Sequence, residues 1–141
     1  MDILGRCERV DLPLLGLSGI HAKVDTGPYN CSLHCCKAEI KNGVLEVTLL
    51  DEQHPDYTGK IFTFKKFDRR EIKNSFGEAE MRFIIKTRIR LGDRLIRAEF
   101  SLSNRGNLKF PVLLGRKILR DRFLIDVTQK DIFWVKKSEN H

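Results

Sequence analysis

Residues 22–30, AKVDTGPYN, carry an aspartate to the end of an apolar-leaning run that Thr26, Gly27 and Pro28 then break. The pattern puts Asp25 where a strand turns sharply into a loop. Two chemistries suit an acid at such a point. Its carboxylate can accept hydrogen bonds from the amides that follow and so serve only the turn. Alternatively it can be half of an acid–base pair. A lone aspartate in water has a pKa of about 3.9 and is a poor acid at neutral pH. Two carboxylates about 3 Å apart cannot both ionise, so the pair holds one proton: one member takes a proton from water while the other gives one to a carbonyl. The chain has a single Asp-Thr-Gly, so this second chemistry requires another copy facing it across a two-fold axis.

The other stretch with chemical content is FPVLLGRKIL, residues 110–119. It reads as an apolar strand stopped by Gly115 and followed by Arg116 and a short helix. Elements must bring it to Asp25 across a long separation in sequence. Between the two lies a period of two: Phe83, Ile85, Thr87, Ile89 and Leu91 alternate with Arg82, Lys86, Arg88 and Arg90, and Leu95 to Leu102 repeats the alternation after Gly92-Asp93. This predicts a hairpin with one buried and one basic face. Val44 to Leu50 and Lys60 to Phe67 predict a second strand pair, connected through His54, Pro55 and Asp56. Ile132 to Val135 reads as a late strand, and only Lys117 to Phe123 has helical spacing. The expectation is an all-β barrel or sandwich with about one helix.

With 141 residues, 41% of them hydrophobic, the chain is long enough to bury one real core, so a single domain over residues 1–141 is expected. Residues 60–97 hold twelve Lys and Arg against five Asp and Glu, so the whole formal excess of +7 falls there. A basic face of that kind attracts acidic peptides, nucleic acid or anionic membrane. The N-terminal residues contain no uninterrupted apolar stretch suited to a signal peptide or a spanning helix, which predicts a soluble, cytoplasmic protein with no membrane partner. The four cysteines fall within the first 36 residues, and the adjacent Cys35 and Cys36 make a poor disulfide framework, so reduced thiols are expected.

Asp25-Thr26-Gly27 followed by Ser32 and Leu33, a basic-apolar hairpin, and then Val112-Leu113-Leu114-Gly115-Arg116 resembles the retropepsin-type aspartic peptidases. More closely, the spacing is similar to a family of small bacterial proteins labelled ATP-dependent zinc proteases, encoded beside ATP-grasp ligases that add glutamates to protein tails. The resemblance runs from Ile3-Leu4-Gly5 to Phe123-Leu124-Ile125-Asp126-Val127. It implies a closed retropepsin-like β-barrel with one short C-terminal helix, a half-site completed by a homodimer, and an aspartic peptidase acting on extended peptides or modified, acidic protein tails. Asp25, Thr26 and Gly27 would be the catalytic loop, with Thr26 hydrogen-bonding across the axis. Leu114, Gly115 and Arg116 would support that loop, glycine being needed where a side chain would collide with it. Ile72-Lys73-Asn74-Ser75-Phe76-Gly77 matches the flap, with Asn74, Ser75, Phe76 and Gly77 placed to touch substrate. The resemblance also implies a functional link to an ATP-grasp ligase. Pro28 departs from the usual pattern and removes an amide donor from the loop. Tyr29 and Asn30 depart too, leaving no acid there to pair with Arg116.

Other readings stand beside this one. Cys31, His34, Cys35 and Cys36, with His21 nearby, have the composition of a zinc site, but neighbouring Cys35 and Cys36 would point to opposite faces of a strand; no metal and no cofactor are expected. His54 reads as a solvated loop residue. Arg82, Lys86, Arg88, Arg90, Arg94 and Arg97 form a stripe that could track phosphates, yet Phe83 and Phe100 fall on the apolar side, which disfavours nucleic acid. A third reading keeps the fold and dimer without the chemistry, as a binder of acidic, glutamylated peptides through residues 60–97.

Overall fold

The computed structural model of the chain describes residues 1–73, 76–104 and 109–134. In chain order the strands are β1 (Asp2–Leu4), β2 (Cys7–Leu12), β3 (Leu17–Val24), β4 (Cys31–Lys41), β5 (Val44–Leu49), β6 (Ile61–Phe64), β7 (Asp68–Lys73), β8 (Ala79–Leu91), β9 (Arg94–Ser103), β10 (Val112–Leu114) and β11 (Phe123–Ile125). A 3-10 turn, Pro13–Leu15, and a short helix, α1 (Arg116–Leu119), interrupt them. The expected all-β architecture is present.

A closed barrel forms because β10 pairs with two strands at once. It runs parallel to β3, with Val112 opposite Ala22 and Leu114 opposite Val24, and antiparallel to β4, with Val112 opposite Leu33. The ring continues from β3 to β2, β8, β9 and back to β4. Closure removes the unpaired edges that an open sheet of this size would present to solvent. Two hairpins extend beyond the ring. The outer half of β4 pairs with β5, and β5 with β6. The first half of the long strand β8 pairs with β7, while its second half pairs with β9 from Ile84 to Leu91.

The predicted hairpin of residues 82–102 is therefore β8 and β9, turned at Gly92-Asp93, with Ile85, Ile89, Leu91, Ile96, Phe100 and Leu102 in the core. The pair predicted from Val44 and Lys60 is β5 and β6, although β6 ends at Phe64 and β7 begins separately at Asp68. Two predictions need correction. The helix predicted from Lys117 to Phe123 is confined to α1, because Arg120 is extended and Asp121 takes a positive φ of 63°, after which Phe123 enters β11 beside β1. Residues 132–134 are helical rather than a late strand, and Val135 lies outside the described residues.

That final segment is tied down by an unusual core group. Glu8 is fully buried on β2, in a position where the period of two calls for an apolar residue. Its Oε2 accepts the Gly5 amide at 2.8 Å and its Oε1 accepts the Phe133 amide at 3.2 Å. The guanidinium of Arg9, the next residue, lies 4.8 Å from the Trp134 ring. A buried carboxylate is tolerable here because backbone amides solvate it. Glu8→Ala would strand both amides, and each stranded buried donor costs about 1–3 kcal/mol. Urea titration of the variant is expected to show a loss within that summed range, with partial rescue by Glu8→Gln, whose one amide oxygen can keep one of the two bonds.

Candidate active site

Asp25 directly follows β3, as its sequence context requires. Its amide donates to the Leu114 carbonyl at 3.0 Å, so the last residue of β10 fixes where the loop begins. Its Oδ1 accepts the Gly27 amide at 3.0 Å. The turn-capping role is thus real, but it occupies one oxygen. Among the described residues no hydrogen bond or ion pair falls on Oδ2. Thr26, Gly27 and Pro28 are exposed and Asp25 is half-buried.

The rest of the loop is held through its carbonyls. Arg116 donates its amide to the Pro28 carbonyl at 3.0 Å and Lys117 to the Tyr29 carbonyl at 2.9 Å. Pro28 therefore surrenders an N–H that this anchoring never uses, while its fixed φ limits the unfolded chain. Beneath these bonds Gly115 passes flat against the loop. A Cβ built on it would overlap the Asn30 carbonyl oxygen and come within 2.8 Å of the Tyr29 carbonyl oxygen. The expected collision between a side chain at 115 and the loop is a geometric fact of this structure. The Gly115 amide in turn points at the sulfur of buried Cys31, 3.4 Å away. Arg116, deprived of an acidic partner at positions 28–30, places its guanidinium 6.0 Å from the Tyr29 ring centroid.

Asp25 opens onto a cleft of about 600 Å³ lined by Tyr29, Ser32, Ser101, Arg82 and Ile72 among others. Its roof is the β7–β8 hairpin, in register with Ile72 opposite Glu80 and Lys73 opposite Ala79. Of the stretch matched to a flap, Ile72 and Lys73 end β7 and line this cleft. Phe76 is 90% exposed and Gly77 has a φ of 80°, which favours glycine; Asn74 and Ser75 lie outside the described residues. Ser101, which donates to the Cys31 carbonyl at 3.3 Å, was not legible in advance, being one hydroxyl within an apolar strand.

The base of the hairpin is fastened to the support of the loop by one carboxylate. Glu99 on β9 receives Arg70 of β7 at 2.9 Å and Lys117 of α1 at 3.0 Å. Hydrogen bonds from Arg70 first, then Lys117, pull its pKa from 4.5 down to about 2. The sequence gives no hint of this link, since the three residues lie on three separate elements.

The cysteine–histidine cluster does not converge. Cys31 and Cys35 are buried while Cys36 is exposed, as opposite faces of a strand demand. Burial pushes Cys35 up to about 11. The His34 ring turns away to Asp51, 2.7 Å from Nε2, which holds the Asp51 carboxyl below its ordinary range. The donor set therefore does not fit a zinc ion, and no group of three or more metal-ligating side chains occurs among the described residues. His54 departs from its expected solvated state: its side chain is largely covered and its Nδ1 accepts the Asp56 amide at 3.0 Å. The basic stripe is also broken up. Arg82 pairs with Glu80, and Arg94 pairs with Asp2 and lies over Phe123.

A barrel closed by a short strand between β3 and β4, with an Asp-Thr-Gly loop resting on an apolar-Gly-Arg segment, defines the retropepsin-like class. The profile described as "RimB-like: Retropepsin-like aspartic endopeptidase RimB" matches residues 3–135, and the chain belongs to that family. Among curated proteins it is similar to a "Probable alpha-L-glutamate ligase" of Desulfotalea psychrophila, 34% identical over 128 residues, 88% of this chain and 28% of that protein. A protein of the same name from Shewanella pealeana is 32% identical over 131 residues, 90% of this chain and 29% of that protein. The chain thus spans under a third of the length of these relatives. A crystal structure of a Legionella pneumophila protein with unknown function superposes with a TM-score of 0.70 at 25% identity, covering 94% of this chain and 98% of that one.

Two outcomes follow from this geometry. Gly115→Ala should cost about 1–3 kcal/mol, the usual penalty of forcing atoms into a closed contact, and a denaturant midpoint shift at constant slope measures it. Glu99 has a folded pKa below its ordinary 4.5, so the stabilisation from its ion pairs is complete above about pH 4.5 and is lost as pH falls toward 2. Glu99→Gln is expected to flatten the stability curve across that acid window, as urea titrations at several pH values would show.

Proposed function

We propose that this chain is a single-domain aspartic-type peptidase that works as a two-fold homodimer on extended peptides, including modified or acidic protein tails. The observation that supports this most is the state of Asp25: one oxygen is fixed by the Gly27 amide, the other faces a roofed cleft, and the loop is rigidly backed by Gly115. A pair made of Asp25 and Asp25 of the partner subunit would share one proton. The ionised member would take a proton from water as the oxygen attacks the peptide carbonyl. The protonated member would give its proton to the carbonyl oxygen, and collapse of the adduct would return a proton to the departing amine. Thr26, exposed beside Asp25, would meet its counterpart across the axis. Phe76 and Gly77 at the hairpin tip, with Asn74 and Ser75, would close over the substrate, whose backbone would pair as an added strand.

A second reading has its own observation. Relatives named as glutamate ligases carry a segment like this chain within much longer proteins. On that reading the barrel recognises glutamylated tails beside an ATP-grasp ligase, with or without cleaving them.

Sedimentation equilibrium should find a dimer at micromolar concentration, and a strict monomer would remove the peptidase reading. Asp25→Asn keeps an oxygen for the Gly27 amide, so circular dichroism and dimerisation should be unchanged while peptide cleavage disappears. Cleavage that survives the substitution would place the chemistry elsewhere.

A further inference from the structure

A second cleft, of about 480 Å³, lies between β8, β9 and the region of α1. Its lining includes Lys86, Arg88, Arg97, Lys117 and Arg122, with Glu99 as its one acid. That acid is already engaged by Arg70 and Lys117, with Lys86 4.0 Å away. Arg122 gives one of its donors to the Ile118 carbonyl. Arg88 and Arg97 remain. They are directly opposite one another across the β8–β9 ladder, and no ion pair compensates either of them among the described residues. Like charges opposed in this way destabilise a sheet, and two planar forks side by side are the arrangement that binds carboxylates or phosphates in bidentate fashion. The unrelieved repulsion is a cost that an arriving anion would remove.

Position decides between the two kinds of anion. Arg97, Glu99 and Ser101 alternate along one face of β9, and Arg97 and Glu99 line the basic cleft while Ser101 lines the cleft of Asp25. On β8 the same face carries Arg82 in the Asp25 cleft and Lys86 and Arg88 in the basic one. Four residues of strand span about 13 Å, so an extended chain that passes Ser101 in the Asp25 cleft and follows this face reaches Arg97, with Arg88 opposite it, about four residues later. The other residues lining the basic cleft, such as Leu14, Cys31 and Ile118, are not aromatic and offer no ring on which a base could stack.

We infer that Arg88 and Arg97 form a distal subsite for carboxylate side chains of a peptide bound in the Asp25 cleft, about four residues from the point where it passes Ser101. The direction of the chain rests on the proposed peptide-binding role of that cleft, whereas the anion site itself does not require cleavage. The arginines are specificity residues and take no part in bond breaking.

The test uses the full chain carrying Asp25→Asn, so that binding is read without turnover. Fluorescence anisotropy with a labelled glutamate-rich peptide should show affinity falling about tenfold or more for Arg88→Gln or Arg97→Gln, with a weaker salt dependence than the parent. Arg120→Gln, a surface change beside Asp121, should leave affinity unchanged. Because the two arginines repel one another, each Gln variant should melt at the same temperature as the parent or above it. Undiminished affinity, or a lowered melting temperature, would overturn the subsite. So would a short RNA that binds more tightly than the peptide through the same two residues. Cleavage assays on the Asp25 protein keep the readings apart: peptide binding without turnover removes the peptidase and leaves the subsite, while cleavage indifferent to both arginines does the reverse.

Discussion

The close passage of β10 between β3 and β4 is the constraint on which the molecule depends. Those three residues and the glycine after them close the ring, receive the Asp25 amide on the Leu114 carbonyl, and lie against the Asn30 and Tyr29 carbonyls. A barrel can be closed in many ways. Here the closing strand and the support of the acid are the same piece of chain, so the position of Asp25 is determined by core packing around Val112 and Leu114, both fully buried. Preorganisation of this kind fixes a side chain without relying on a flexible loop to find its own conformation.

A second tie links the roof to the floor. Arg70 belongs to the hairpin above the cleft and Lys117 to the helix that begins beside the loop, and Glu99 holds both. Exposed single pairs contribute little to stability. A carboxylate shared by two cations, itself mostly covered, serves instead to keep two elements in register. The hairpin is thereby fixed at its base while its tip, around Phe76 and Gly77, stands in solvent. The basic cleft begins at this junction, which is why Glu99 cannot neutralise Arg88 and Arg97 as well.

Much of this was legible in the residues and some was not. The β8–β9 hairpin announced itself because one face is core and the other solvent, which makes the period of two visible. Asp25 and Gly115 were legible as a pair only through the resemblance that Asp-Thr-Gly and the downstream Leu-Leu-Gly-Arg carry together, since a turn acid by itself reads equally well as a cap for its own loop. β4 was hidden, since residues 31–35 are buried on both faces and show no alternation. β2 was hidden for the opposite reason: its pattern is regular, but one inward position is the acid Glu8. The late strand was mistaken because a short apolar run carries no period of its own, and Phe133 and Trp134 pack instead against Gly92 and Gly19. The His34–Asp51 pair and the Glu99 junction join residues from separate elements, and no local pattern encodes them.

The contact between Arg116 and the ring of Tyr29 has a consequence for the conditions under which the loop keeps its shape. A guanidinium braced by a carboxylate loses that brace once the medium is acidic enough to protonate it. An aromatic face carries no proton to gain, so the attraction between ring and cation persists across the whole acid range. The residue that replaces the missing acid thus makes this brace indifferent to acidity, in the very neighbourhood where a proton would be exchanged.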